Sequence, residues 1–298
     1  METEKWLLPR RDQVEEILEK YLPAEEGDAA TLLSAMNYSV RAGGKRLRPI
    51  LLLELCRLYG GSEEVASPFA AALECIHSYS LVHDDLPAMD DDMLRRGKPT
   101  THAVYGEAMG ILAGDGLLNY AFEIIAGALS DMDPSVLPGG IRAFSILSRA
   151  AGAFGMIGGQ CVDIEAEGKE EISDGLIDSI YHNKTGALIA SAMSMGTALA
   201  MAHAEDIDRA AECGYALGRA FQIRDDILDV TGSEEVLGKP IGSDERNLKP
   251  TYVAMHGIEK AQEEVRFQTE YAKSLVDKMP GDTEQLRALM DYLTGREM

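Results

Sequence analysis

The 298 residues carry 50 acidic side chains against 28 Lys and Arg, a formal net charge of -22, and 46% of them are hydrophobic. A chain this acidic lacks the basic face that a nucleic-acid backbone demands, while its apolar content suffices for a sizeable core. Cys56, Cys75, Cys161 and Cys213 are widely spaced and form no C-x-x-C pair, so the sequence suggests neither a cysteine zinc site nor a disulfide framework and fits a reducing cytoplasm.

The opening Met1-Glu2-Thr3-Glu4-Lys5 has neither the basic start nor the apolar stretch of a secretory signal, so a cytoplasmic location is expected. From Gln13 onward apolar residues recur at three- and four-residue spacing and alternating runs of strand type are scarce, which predicts an all-α chain. Gly, Pro and Asp punctuation separates predicted helices over Ile50 to Tyr59, Glu64 to Asp85, Val104 to Leu129, Pro134 to Ala151, Asp174 to Tyr181, Thr185 to Met201, Ala204 to Val230 and Glu259 to Lys278. Two apolar-rich helices near the middle are expected to be buried on most sides. The weakly polar run Leu188 to Ala202, about 15 residues, falls short of the roughly 20 that cross a bilayer, so no membrane span is expected. No repeat or Ser/Gly linker divides the chain, which reads as one domain over 1–298, a large helical bundle. The segments Pro87 to Thr101 and Thr231 to Thr251, rich in charge, Gly and Pro, stand out as more than connectors.

Two aspartate clusters carry the chemistry. In the first, Asp84, Asp85, Asp90, Asp91 and Asp92 crowd one end of an apolar helix that Pro87 must stop or kink. That end carries the negative pole of the helix dipole, which disfavours anions without a cation to compensate them. Two carboxylates about 6 Å apart repel by roughly 3 kcal/mol at an effective dielectric near 20, about two pKa units, so a pocketed cluster must protonate or bind metal. Hard oxygen donors in this number select magnesium or calcium. In the second cluster, Phe221 to Asp229, the carboxylates of Asp225 and Asp229 share one helical face and Gln222 lies a turn before them. An acidic run alone is usually a solvated helix end, but both of these are flanked by apolar residues rather than by mixed charge.

Basic residues accompany them. Gly43-Gly44-Lys45-Arg46-Leu47-Arg48-Pro49 sets three cations and two glycines just before a helix, a pattern that can surround a phosphate. Arg95-Arg96-Gly97-Lys98 follows the first cluster, Lys184-Thr185-Gly186 opens another helix, and Lys239 and Lys249 follow the second cluster. His77 and Asp84, seven apart, fall close to one helical face and can line one cavity.

These segments, with Ile76 to Asp91, Leu94 to Thr100, Gly158-Gly159-Gln160, Phe221 to Asp229 and Gly238 to Asp244, resemble the trans-polyprenyl diphosphate synthases, and within them the bacterial-type farnesyl diphosphate synthases. The resemblance runs in family order from residue 43 to about 252. It implies an isoprenoid-synthase helical bundle around a central cavity, a homodimer, and several Mg2+ ions bridging an allylic diphosphate. Asp84, Asp90 and Asp225 are implied as principal metal ligands, with Asp85 and Asp229 beside them. Arg95, Lys184 and Lys239 are implied to hold the allylic diphosphate, and Thr185 and Gln222 to turn oxygens toward the allylic cation. Lys45, Arg48, His77 and Arg96 match positions that meet isopentenyl diphosphate. The chain departs from the family at Lys249-Pro250-Thr251-Tyr252, where Lys-Ser-Thr-Tyr is usual, which loosens the role of Lys249.

For product length, helical angle puts Ser80 most directly beneath Asp84, whereas the resemblance chooses Tyr79 as the cavity floor. An aromatic there, with the two-residue-longer first motif, goes in the family with farnesyl diphosphate. The alternatives are the same chemistry with a geranyl or geranylgeranyl product, a terpene cyclase, and a silent partner subunit. A cyclase has no need of the Lys45, Arg48 and Arg96 group, and a silent subunit usually loses aspartates, none of which is missing here.

Overall fold

The computed structural model describes residues 2–169, 172–231 and 251–295. In chain order the helices are α1 (Glu2–Tyr21), α2 (Ala30–Val40), α3 (Leu47–Leu58), α4 (Glu63–Asp84), α5 (Thr101–Tyr105), α6 (Glu107–Ser130), α7 (Leu137–Ala151), α8 (Met156–Ala166), α9 (Asp174–Ile180), a π-helical turn (Tyr181–Gly186), α10 (Ala187–Leu199), α11 (Ala204–Thr231), α12 (Tyr252–His256), α13 (Ile258–Val276) and α14 (Glu284–Thr294). Among the described residues the strand residues are one antiparallel pair, β1 (Leu94–Arg95) and β2 (Lys98–Pro99), within the segment that follows the first aspartates.

α10 is the centre of the bundle. Every residue of it is buried, because its many Ala, Ser and Gly residues present little bulk and α3, α7 and α11 pack round it. A Cβ on Gly196 would lie 2.2 Å from the Leu52 carbonyl oxygen, so α3 and α10 touch backbone to backbone. The hydroxyls of Ser191, Ser194 and Thr197 donate back to the carbonyls of Leu188, Ala190 and Met193, which leaves the buried helix satisfied within itself.

Of the apolar helices near the middle, α6 is buried on one face only. Gly110, Ala113, Gly114, Leu117, Ala121 and Ile125, at spacings of three and four, form that face, and α6 packs mainly along α4. Ile111 and Leu112 on the opposite face are 42% and 50% exposed. Among the described residues α6, not the run from Leu188, is the helix long and apolar enough to cross a bilayer, with a mean hydropathy of 1.2 over its best window. The run from Leu188 is instead the buried centre.

The predicted helices all appear, with shifted ends. Pro134 to Ala151 begins at Leu137 because the Asp133 carboxylate accepts from the Ser135 amide at 2.8 Å and its hydroxyl at 2.6 Å, closing a turn first. The helix expected from Thr185 opens as a π turn, and α1, α2, α8, α12 and α14 were not foreseen.

Candidate active site

α4 delivers the first aspartate cluster as a folded turn. Asp84 is its last helical residue, the Asp90 amide donates back to the Asp84 carbonyl at 2.9 Å, and the Met89 and Asp91 amides donate to Leu86 at 2.8 and 3.1 Å. Asp91 takes a left-handed φ of 53° to close the turn. The extra residues of this long motif thus form a loop that returns Asp90 to Asp84.

Asp85 turns elsewhere. It is buried and accepts from Arg95 Nε at 2.6 Å, with Asp92 3.5 Å from the same guanidinium. Burial pushes the Asp85 pKa up to about 6, against the opposing hydrogen bond from Arg95. The neighbouring arginine goes the other way: Arg96, at φ 54° in the β1–β2 turn, donates to the Gly43 carbonyl. A Cβ on Gly44 would fall 2.5 Å from the Arg96 guanidinium, so Gly44 is what lets Arg96 lie across the Gly43–Pro49 loop.

Within that loop the three cations divide. Arg46 is not on the surface. Held at φ 51°, its buried guanidinium donates to Glu74 on α4 at 2.7 Å, Glu15 on α1 at 2.9 Å and the Val40 carbonyl at 2.6 Å. Burial works against its charge, but Glu74 and Glu15 outweigh it and raise the pKa above the ordinary arginine value. Lys45, by contrast, is exposed. Arg48 Nη1 lies 3.4 Å from His77 Nε2, and because arginine only donates, His77 accepts there and carries its proton on Nδ1.

In the resulting cluster burial outweighs the nearby carboxylates. Burial lowers the Arg48 pKa to about 10, with Glu74 and Asp225 opposing and Arg96 adding to the fall. Arg96 is lowered by burial and by Arg46 and Arg95 as well. Burial and then Arg48 and Arg96 hold His77 well below its ordinary value, so it is neutral at physiological pH. His77 therefore supplies hydrogen bonding to this group and not charge.

Across the bundle, α8, the π turn and α11 meet through glycines. A Cβ on Gly159 would sit 2.3 Å from the Lys184 amide nitrogen, and one on Gly218 would sit 2.7 Å from the Gly186 Cα. The first contact puts Asp163, one turn along α8, where its Oδ2 meets Lys184 Nζ at 2.6 Å. The second puts Thr185 against α11, where its hydroxyl donates to Gln222 Oε1 at 2.7 Å. π turns occur often at functional sites because the widened turn re-aims side chains. Asp163 was missed from sequence; a carboxylate one turn after Gly159, between the apolar Val162 and Ile164, was its signal.

Asp225 is half-buried on α11 and close enough for its charge to act on Arg48, while Asp229, a turn later, is buried. Tyr79 is buried with its ring edge-on to His83, centroids 5.8 Å apart, and the half-buried Ser80 folds its hydroxyl onto the His77 carbonyl at 2.8 Å. Lys239 and Lys249 lie outside the described residues.

Among the described residues no three His, Cys, Asp or Glu side chains gather closely enough to chelate an ion alone. The candidate donors are carboxylates at the end of α4, in the turn that follows it, and on α11. That open, all-oxygen set suits magnesium, which proteins commonly hold by one or two carboxylates together with substrate phosphate oxygens.

The model of the family described as polyprenyl synthetase matches residues 29–293. Farnesyl diphosphate synthase of Geobacillus stearothermophilus is 43% identical over 299 residues, covering 100% of this chain and 99% of that protein. Geranylgeranyl diphosphate synthase of Cyanophora paradoxa is 40% identical over 98% of this chain and 95% of its own length. An apo crystal structure of a FPP/GFPP synthase from Zymomonas mobilis superposes with a TM-score of 0.85 at 32% identity, over 98% of this chain and 99% of that one. With an all-helical fold of the isoprenoid-synthase type and a match that spans nearly its whole length, the chain belongs to the polyprenyl synthetase family of trans-prenyltransferases.

Proposed function

We propose that this chain is a magnesium-dependent farnesyl diphosphate synthase, condensing isopentenyl diphosphate head to tail with dimethylallyl and then geranyl diphosphate and releasing pyrophosphate. The observation that carries the two-substrate reading is the division of its cations into two groups. Arg95 and Lys184 each lean on a carboxylate, Asp85 and Asp163, whereas burial, with other arginines, lowers the pKa of Arg48 and Arg96 beside a neutral His77. One group belongs with a metal-bridged diphosphate and the other with a diphosphate bound by side chains alone.

In this reading Asp84, Asp90 and Asp225, with Asp229, hold the magnesium ions, which when bound neutralise the charge on the leaving pyrophosphate. Asp85 acts chiefly by holding Arg95. Because the Thr185 proton is given to Gln222, the Thr185 oxygen has only lone pairs to offer, which suits an allylic cation. Lys45, Arg48 and Arg96 supply charge to isopentenyl diphosphate and His77 a hydrogen bond. An oxygen of the released pyrophosphate is the base that takes the departing proton.

Product length rests on Tyr79 and on the resemblance, since relatives of similar identity carry both the farnesyl and the geranylgeranyl names. A homodimer goes with the family reading, and the uncovered apolar face of α6 supports it. A cytoplasmic setting fits four free cysteines, three of them buried. The test is incubation of the purified chain with magnesium, isopentenyl diphosphate and each of dimethylallyl, geranyl and farnesyl diphosphate, followed by product chromatography. Farnesyl diphosphate from the first two starters is expected, and no coupling with any starter would overturn the reading.

A further inference from the structure

Asp226 stands beside Asp225 in the second aspartate run, yet its surroundings are of another kind. It is buried, and donors converge on it: Gln222 Nε2 at 3.2 Å, the Tyr252 amide at 3.3 Å, and the Tyr181 hydroxyl. Tyr181 in turn accepts from the Tyr252 amide at 2.8 Å. A carboxylate has about four lone-pair sites, so three donors leave it little capacity for a cation. Successive helical residues also point roughly 100° apart, which separates Asp226 from the direction of Asp225.

The contacts form a ladder between two antiparallel elements. Tyr181 and Thr185, four apart in the π turn, face Asp226 and Gln222, four apart on α11. The Gln222 to Asp226 hydrogen bond ties the two rungs together. It also decides which way the Gln222 amide points. A carboxylate accepts and does not donate, so the amide nitrogen must turn toward Asp226 and the carbonyl oxygen toward Thr185.

We infer that Asp226 is a positioning residue rather than a metal ligand: with Tyr181 it locks the Gln222 amide so that Gln222 and Thr185 present only oxygen lone pairs to the allylic centre. The inference rests on the prenyltransferase reading above, because an ordered pair of oxygens matters where positive charge develops. An amide free to flip would turn an N–H toward that charge and raise the barrier.

The experiment compares Asp226→Asn, Asp225→Asn, Tyr181→Phe, Gln222→Ala and the double variant Gln222→Ala/Asp226→Asn in the full chain. Two readouts are used: steady-state kinetics with varied magnesium, and the rise in melting temperature on adding magnesium with inorganic pyrophosphate. Asp226→Asn should keep the wild-type melting rise and magnesium half-saturation while kcat falls roughly 10- to 100-fold, the usual penalty for losing a supporting hydrogen bond at a site. Asp225→Asn should lose the melting rise. In the Gln222→Ala background Asp226→Asn should cost no more than about twofold further, since two residues acting as one unit are not additive. Tyr181→Phe, which keeps both carboxylates, should lower kcat and leave both KM values in place. A magnesium half-saturation raised in Asp226→Asn as much as in Asp225→Asn, or losses that multiply in full, would overturn the inference. A wild-type chain that shows the melting rise but couples no substrate would refute the proposed reaction, while the comparison of melting rises would still decide whether Asp226 binds metal.

Discussion

Lys184 in the π turn and Asp163 on α8 form an ion pair, Nζ to Oδ2 2.6 Å, and they can do so because Gly159 has no side chain to hold α8 away. The pair fixes a long, flexible lysine before any diphosphate arrives, so part of the ordering entropy is met in the fold. Asp163→Asn keeps the shape and loses the charge. It should raise the KM for the allylic diphosphate and lower kcat, together by roughly tenfold in kcat/KM, with a smaller effect on isopentenyl diphosphate. Steady-state kinetics with each substrate varied would check this, and equal effects on both would remove Lys184 from the allylic group.

Arg46 supports the Gly43–Pro49 loop from within. Removing it strands Glu74, which is only 2% exposed, without its guanidinium. Arg46→Met should therefore lose about 3–5 kcal/mol of stability, and Arg46→Met/Glu74→Met should recover most of it, because an apolar pair replaces a buried ionic one at little penalty. Urea unfolding of the two variants would show this. A double variant as unstable as the single would mean that the arginine matters through Glu15 and the Val40 carbonyl.

Arg46 also marks where sequence reasoning stops. The longer helices after α1 were legible from apolar spacing, and α4 ended at Asp84, within a residue of the expected end, because its periodicity is unbroken and Pro87 follows. The loop Gly43 to Pro49 showed three cations of equal standing. Which one turns inward depends on a left-handed φ at Arg46 and on carboxylates 28 and 31 residues away, and neither is local information. α1 was missed because Pro9-Arg10-Arg11 interrupts its apolar spacing, although Trp6 and Leu7 pack against the core as Val14 and Leu18 do. The site followed the same division. Carboxylates and cations were visible as types, while their pairing, Asp85 with Arg95 and Asp163 with Lys184, came from the packing of separate elements.

The depressed pKa of His77 makes stability depend on pH. The unfolded chain takes up this proton near 6.5 and the folded chain only well below that, so the stability held above 6.5 is lost as pH falls toward the folded value. His77→Gln keeps an acceptor for Arg48 and does not titrate. Between pH 7 and 5 the wild type should lose stability more steeply than this variant, by up to about 1.4 kcal/mol per pH unit below 6.5. Urea unfolding at several pH values gives both slopes, and parallel slopes would mean that His77 titrates normally.

Arg95 and Arg96 point to different partners, one to Asp85 and the other to the Gly43 carbonyl. Arg95→Ala should raise the KM for the allylic starter more than that for isopentenyl diphosphate, and Arg96→Ala should do the reverse. Effects of severalfold or more are expected for a charge-assisted hydrogen bond worth about 1.5–3 kcal/mol. Equal shifts for both substrates in both variants would dissolve the two-group division on which the proposed reaction rests.

Tyr79 lies five residues before Asp84 and is buried, and its hydroxyl has no hydrogen-bond partner among the described residues. An unpaired buried hydroxyl is a penalty of about 1–3 kcal/mol, so the ring must be retained for its bulk and not for its oxygen. Further along α4 the same side continues with Cys75, Ala72 and Ala71, all small and all buried, so the residues beyond Tyr79 could admit a longer hydrocarbon tail once the ring is gone. Two substitutions separate bulk from polarity. Tyr79→Phe should keep farnesyl diphosphate as the product and leave stability unchanged or raised. Tyr79→Ala should lose about 3–5 kcal/mol as a large-to-small core change and shift the product toward geranylgeranyl diphosphate or longer. Chromatography of the products, with melting curves to confirm folding, reads both effects. If Tyr79→Ala is folded and active and still stops at farnesyl diphosphate, the ring is core packing alone and the floor of the cavity lies elsewhere.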